Sequence, residues 1–358
     1  MSAINFDKVI KKFMLIFLIL TVTSAGFCGF FLKWSFRDGD PELGFEVMME
    51  GTAKRPFVHR RLLPEVVTHT AKIIPLETKE KIISKLEDKN QIENLFAQAN
   101  IQKNFLIEYY LMFAYCFLIF FASIWVLRSL LMEILQDEVS GTLTAMLFAL
   151  LFPFFEVVGG YYYDFPEILF MFLAAKFALH KKIFALLILS PLAEFNKESF
   201  FFFLPALYPL LRKNLDEKKS GGLTLSLVFL AGLTYLYVRQ QFLGNPGDSA
   251  DLQLWNHIDQ FFDISSYFMT ASTYGLPLGT RMFFFHVVYV IWIVKNSWHN
   301  LDGYWKLHAK IALVINSILY ALFIAPGELR DLSILYISFM VLTGFYIRDI
   351  LSKHYKKC

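Results

Sequence analysis

An all-α, polytopic transmembrane bundle of about ten spans is the fold this sequence predicts, on three observations. Of 358 residues, 56% are hydrophobic and only 18% charged, a ratio outside the range of soluble domains. The 40 Phe residues gather in long runs such as Phe105–Leu131, more apolar surface than a water-facing core of this size can hide. Basic residues recur between alternate runs, the asymmetry that orients membrane helices. These features exclude a soluble enzyme, a nucleic-acid binder and a disordered tail, and a formal charge of +3 is too small to call for a polyanionic partner.

Counted against the ~20 residues a helix needs to cross the hydrocarbon, the apolar runs are Phe13–Leu32, Phe105–Leu131, Leu143–Val158, Phe165–Leu179, Ile183–Phe195, Phe200–Leu211, Leu223–Val238, Met282–Val294, Ile311–Ile324 and Leu332–Ile347. The first follows Lys8, Lys11 and Lys12 in signal-peptide order, but it is too long for an h-region and lacks a small-residue cleavage site, so it is expected to remain as a span. The fifth and sixth are short and broken by Pro191, Pro205 and Pro209, with Glu194, Asn196, Lys197 and Glu198 between them. Short, interrupted spans of this kind point to a site, because polar backbone at that depth must be buried in protein or line a wet cavity.

With the N-terminus inside, the internal connections hold Arg128, Lys181, Lys182, Arg212, Lys213, Lys218, Lys219, Lys295 and Lys306, and the tail adds Arg348, Lys353, Lys356 and Lys357. The short external turns hold chiefly Lys197 and Arg330. The positive-inside rule thus predicts a cytoplasmic-membrane protein with both termini cytoplasmic. Two long external loops, Lys33 to Asn104 and Arg239 to Arg281, are expected to carry short interfacial helices. Residues 1–215, with loop 33–104, form one module, and residues 216–358, with loop 239–281, form a second. The Phe-rich runs are expected to face lipid and Tyr161–Tyr163 to form an aromatic belt. Three cysteines, Cys28, Cys116 and Cys358, give no disulfide framework or metal-thiolate spacing, and no histidine spacing suggests a protein-built metal site.

Polar clusters carry the functional information, since ionisable residues near a bilayer are costly unless paired or lining a path. All fall on the predicted external side. Asp38 and Asp40 follow the first span at once; a solvated loop start is the plainer alternative to a catalytic carboxylate. Arg55 to Pro64 is expected to begin an interfacial helix at Pro56, a residue suited to the first helical position. Its stripe of Val58, Leu62, Leu63, Val66 and Val67 would face lipid, and Arg55, His59, Arg60 and Arg61 would offer a fork for a phosphate or snorkel to headgroups. Asp164 and Glu167, three apart, share a helical face where they also suit the helix dipole. Lys197 sits at the tip of two short spans between Glu194 and Glu198, either paired to them or awaiting an anion. Glu328 and Arg330 mark the tip of the last hairpin.

The acidic residues after the first span, the Asp-Phe-Pro-Glu turn (Asp164–Glu167) opening a Phe/Leu-rich span, the Asn-Lys-Glu-Ser tip (Asn196–Ser199) and the Arg-Pro-Phe-Val-His-Arg-Arg-Leu-Leu-Pro string (Arg55–Pro64) together resemble the GT-C superfamily of membrane glycosyltransferases, in particular its small bacterial members. The resemblance covers roughly residues 10 to 215, and the chain departs from many members in lacking a clean Asp-Glu pair after the first span. It implies sugar transfer from a polyprenyl-phosphate donor to a lipid-linked, glycan or protein acceptor, with Asp38 or Asp40 as general base and Lys197 at the carrier phosphate. Beside them Arg55, His59 and Arg60 would bind phosphate. Asp164 would join the catalytic set, and Glu167, Asn196, Glu198, Glu328 and Arg330 would support it or the acceptor. A divalent cation at Asp164 and Glu167 is the one cofactor this reading admits. Two rivals remain: a lipid-linked glycan polymerase or ligase working through Arg55 and His59, and a transporter or flippase without chemistry, which would carry charge at mid-membrane.

Overall fold

The computed structural model describes residues 6–87, 103–248 and 252–355. Residues 88–102 and 249–251 of the two long loops, and Lys356, Lys357 and Cys358, lie outside the described residues. Among the described residues ten helices build the bundle: α1 (Phe6–Trp34), α5 (Leu106–Leu135), α6 (Glu138–Phe155), α7 (Asp164–Leu179), α8 (Ile183–Asn196), α9 (Ser199–Arg212), α10 (Glu217–Gln241), α12 (Phe284–Ser297), α13 (Gly303–Phe323) and α14 (Ser333–Tyr355). Each predicted apolar run lies on one of them. Six are long and apolar enough to cross a membrane, namely α1, α5, α6, α10, α13 and α14 with the turn before it. The first long loop contributes the short α2 (Phe45–Glu50), α3 (Leu62–Ile73) and α4 (Leu76–Glu87), and the second contributes α11 (Leu254–Phe262).

Helix ends follow local chemistry. At one end of the bundle Asp137, Asp216 and Asp302 each accept a backbone N–H from the residue three on, at 2.8–2.9 Å, starting α6, α10 and α13. Helix α5 stops at Gln136, whose φ of 53° is left-handed. Pro205 and Pro209 remove N–H donors in α9, which tightens into a 3₁₀ stretch at Leu204–Leu207.

Two expectations change here. The helix of the Arg55–Pro64 string begins at Leu62 and not at Pro56, because Phe57–His59 form a separate 3₁₀ turn and Pro64 occupies the first turn of α3, where a missing N–H costs little. The second long loop adds a β-hairpin to its helix, with β1 (Thr270–Thr273) antiparallel to β2 (Leu276–Gly279).

A third difference concerns the aromatic residues. Many Phe residues face inward: Phe27, Phe30, Phe120, Phe152 and Phe165 are buried where α1, α5, α6 and α7 meet. The Phe30 and Phe165 rings meet edge to face at 4.7 Å, and Phe120 and Phe152 lie 4.9 Å apart. Lipid tails are as apolar as side chains, so close packing and ring geometry, at about 0.5–1.5 kcal/mol per pair, favour this interior over lipid exposure. Gly26 lets α1 approach α6 closely: a Cβ there would stand 2.1 Å from the Ala149 carbonyl oxygen.

Candidate functional site

The opposite end of the bundle gathers most of the polar clusters predicted from sequence. Trp34 Nε1 donates to the Glu156 carbonyl at 2.6 Å, Asn196 Nδ2 donates to the Tyr163 carbonyl at 2.8 Å, and Asn316 Nδ2 donates to the Asp331 carbonyl at 3.0 Å. These bonds bring the ends of α1, α6, α8 and α13 against the starts of α7 and α14.

Lys197 is the centre. Extended backbone after α8 turns its side chain inward, and its ammonium reaches Glu167 Oε2 at 2.7 Å, Asp331 Oδ1 at 2.8 Å and Asp164 Oδ1 at 3.0 Å. An ammonium has three donors, and three carboxylates use all of them. Glu167 also accepts from Ser199 Oγ at 2.5 Å and Ser333 Oγ at 2.6 Å. Asp164 Oδ2 accepts the Tyr161 backbone N–H at 3.0 Å, closing the turn before α7. Lys197, Asp164 and Glu167 are each no more than 3% exposed, so the cluster stands only because every charge is answered.

Two arginines extend it. Arg330 bridges Asp164, at 3.3 Å, and Glu328, at 2.5 Å. Arg60 forks onto Glu198, at 2.7 and 3.3 Å, and donates to the Tyr163 hydroxyl. Burial would raise the Glu198 carboxyl, but the Arg60 charge and its hydrogen bonds outweigh this and hold it below its ordinary value. Tyr161 and Tyr163 stack at 4.9 Å and 12° and are buried, so they form no lipid-facing belt. They are instead a platform for guanidinium groups: Arg60 lies 4.3 Å from the Tyr163 centroid, and Arg330 and Arg37 lie 4.6 and 4.9 Å from that of Tyr161.

Neighbours in sequence are not partners here. Glu194 accepts the Phe201 N–H at 2.9 Å and Glu198 takes Arg60, while the acids on Lys197 come from α7 and the start of α14. Arg60 and Arg61 are buried and do not reach toward headgroups; Arg61 donates to the Met48 carbonyl at 2.6 Å and pairs with Glu65 at 2.7 Å.

The first-loop aspartates stand apart from this network, with no hydrogen bond or ion pair joining them to it among the described residues. Asp40 accepts the backbone N–H groups of Glu42 and Leu43, both at 3.0 Å, and so closes a turn. Asp38 accepts from the Tyr109 hydroxyl at 2.7 Å, while its other oxygen, Oδ1, is buried without a hydrogen-bond partner. Burial pushes the Asp38 carboxyl up to about 6 against the opposing pull of the Tyr109 hydrogen bond. A cleft of about 100 Å³, lined by Asp38, Asp40, Pro41, Phe45 and Glu46, opens beside it. The link back is the adjacent Arg37, whose Nη2 donates to the Tyr161 hydroxyl at 3.0 Å.

Arg55 and His59 occupy the remaining flank. Arg55 donates to the Gly247 carbonyl at 2.6 Å, and its Nε and His59 Nε2 are buried without partners. Burial lowers the His59 imidazole, and the positive charges of Arg60, Arg239 and Arg55 act in the same direction against Glu198. The described residues contain no cluster of three or more His, Cys, Asp or Glu side chains suited to a metal ion.

Sequence reasoning gave Asp331 and Arg37 no role and read Tyr161 and Tyr163 only as an aromatic belt. Asp331 was visible beside Arg330, but adjacency gave no means of placing it on Lys197, 134 positions away. No protein-family profile, curated protein or solved structure matches the chain.

Proposed function

We propose that this chain is a membrane glycosyltransferase of GT-C type, spanning the cytoplasmic membrane ten times with both termini inside. It moves a sugar from a polyprenyl-phosphate carrier to a lipid-linked, glycan or protein acceptor on the outer face. The observation that carries this reading is Asp38. A general base works best with a pKa near the operating pH, and Asp38 has a carboxyl raised to about 6 by burial, an Oδ1 that is buried without a geometric hydrogen-bond partner and a cleft at its side. Asp40 commits one oxygen, Oδ1, to its turn, which favours Asp38 of the two.

In this mechanism the acceptor hydroxyl loses its proton to Asp38 Oδ1 as its oxygen bonds to the anomeric carbon. The bond from that carbon to the carrier phosphate breaks, and the phosphate leaves with the electron pair. Arg55 and His59, whose Nε and Nε2 are buried without hydrogen-bond partners, are assigned to that phosphate in this reading. Lys197, Asp164 and Glu167, paired through the Lys197 ammonium, and Arg60, paired with Glu198, hold the frame.

The test is transfer from a radiolabelled polyprenyl-phosphate sugar in membranes. Asp38→Asn should lower turnover by about 10²–10⁴-fold, and wild-type turnover would remove Asp38 from the mechanism. The polymerase or ligase reading keeps one supporting observation, the unpartnered His59 Nε2; it takes over if Asp38→Asn is active and His59→Gln is not.

A further inference from the structure

The segment from Leu252 to Phe285 carries apolar groups that are exposed among the described residues. Helix α11 has no buried residue. Trp255, Phe261 and Phe262 are 69, 68 and 76% exposed, and Ile264, Phe268 and Leu276 continue the surface. His257 Nε2 of α11 meets the Ile324 carbonyl at 2.8 Å, and the backbone N–H of Gln253, just before the helix, donates to the Leu322 carbonyl at 2.8 Å, tying the helix to the end of α13.

The hairpin that follows reaches further. The Tyr274 hydroxyl at its tip donates to the Leu150 carbonyl at 2.6 Å, five residues before α6 ends at Phe155. The Tyr274 ring also lies where a Gly29 Cβ would come within 2.6 Å of it, five residues before α1 ends at Trp34. At 1.5 Å per residue the tip lies about 7–8 Å inside the level of both helix ends.

We infer that α11 and the β1–β2 hairpin form an arm seated in one leaflet of the bilayer, with the tip deeper than the helix and the apolar face of α11 against lipid. Three observations favour lipid over a second copy or a protein partner. The arm joins α10 directly to α12, so it starts and ends at the membrane surface. The depth of its tip, about 7–8 Å inside the helix ends, falls within the ~5–10 Å range of interfacial segments. Its exposed side is Trp and Phe, the residues of membrane interfaces, with little charge to specify a protein. Gly29 is the seat of the tip, because any side chain there would displace Tyr274.

The probe is the full chain in phosphatidylcholine nanodiscs whose acyl chains carry bromine either near the headgroup or near the terminal methyl. The Trp255 signal is the difference between the wild-type protein and Trp255→Phe. Shallow bromine should remove more than half of that signal, deep bromine less, and aqueous acrylamide little. A signal quenched by acrylamide and not by bromine would place α11 in water, and one quenched by neither would place it under protein; either overturns the inference. As a second measurement, Ser272→Cys with the native cysteines replaced by Ser should resist a membrane-impermeant thiol reagent, and adding Gly29→Val should restore labelling. Unchanged resistance with Gly29→Val would overturn the seat of the tip. Neither measurement depends on sugar transfer.

Discussion

Lys197→Met removes the one cation shared by the buried Asp164 and Glu167 and the partly buried Asp331. Asp164 keeps Arg330 at 3.3 Å, and Asp331 keeps it at 3.8 Å. Glu167 keeps only the hydroxyls of Ser199 and Ser333, at 2.5 and 2.6 Å. Removing one partner of a buried pair costs about 3–5 kcal/mol, most of it from the charge left behind. Glu167 is therefore the main source of the loss, and the loss is a large part of the ~5–15 kcal/mol that holds a typical domain together. Neutralising that residue should restore stability selectively: Lys197→Met with Glu167→Gln should recover about half, because the amide still accepts from a serine hydroxyl and carries no charge. Lys197→Met with Asp164→Asn should recover less, since it also strips Arg330 of a partner. The assay is thermal unfolding of the purified variants in one detergent, with sugar transfer measured in parallel. A Lys197→Met protein within about 1 kcal/mol of wild type, or equal rescue by Asn at 164 and Gln at 167, would refute the argument that these carboxylates depend on Lys197.

Four further outcomes are expected. Asp38 holds its proton more tightly in the folded chain, so ionising it costs stability as pH rises from about 4 through about 6; Asp38→Asn should thus be more stable than wild type above that range by about 1–2 kcal/mol after solvent screening, and equally stable below it, by thermal melts across pH. Sugar transfer by the wild-type protein should fall about tenfold per pH unit below the same value of about 6, and a flat profile would count against Asp38 as base. Arg60→Gln should cost about 3–5 kcal/mol by leaving Glu198 unpaired, and Arg60→Lys about 1–2 kcal/mol through loss of the fork and the Tyr163 stack, again by thermal melts. Cysteines at Ser35 and at the exposed Lys218 should label from opposite sides of the membrane; Ser220, close to Lys218 in sequence, is buried and would label poorly from either.

Composition and run length alone determined that this is a helical membrane protein, because a backbone in hydrocarbon must satisfy its own hydrogen bonds and a helix does so within each apolar run. Every run longer than about 13 residues is accordingly a helix. The interruption at Pro205 and Pro209 was likewise legible from local chemistry. The sequence also suggested that Asp38 or Asp40, Asp164 and Lys197 share one external site, since each would be costly alone; packing joins Asp164 to Lys197 and gives Asp38 and Asp40 other partners. Which of them meet was decided only by packing. Glu194 and Glu198 flank Lys197 along the chain, yet the direction of its side chain after α8 points it at α7 and α14. The same holds for the aromatic residues. Tyr161–Tyr163 and the inward Phe residues have the composition of a lipid-facing surface, and a one-dimensional pattern cannot separate lipid from protein as neighbour when both are equally apolar. That distinction arises when helices far apart in sequence bring Arg60, Arg330 and Arg37 to the tyrosine faces.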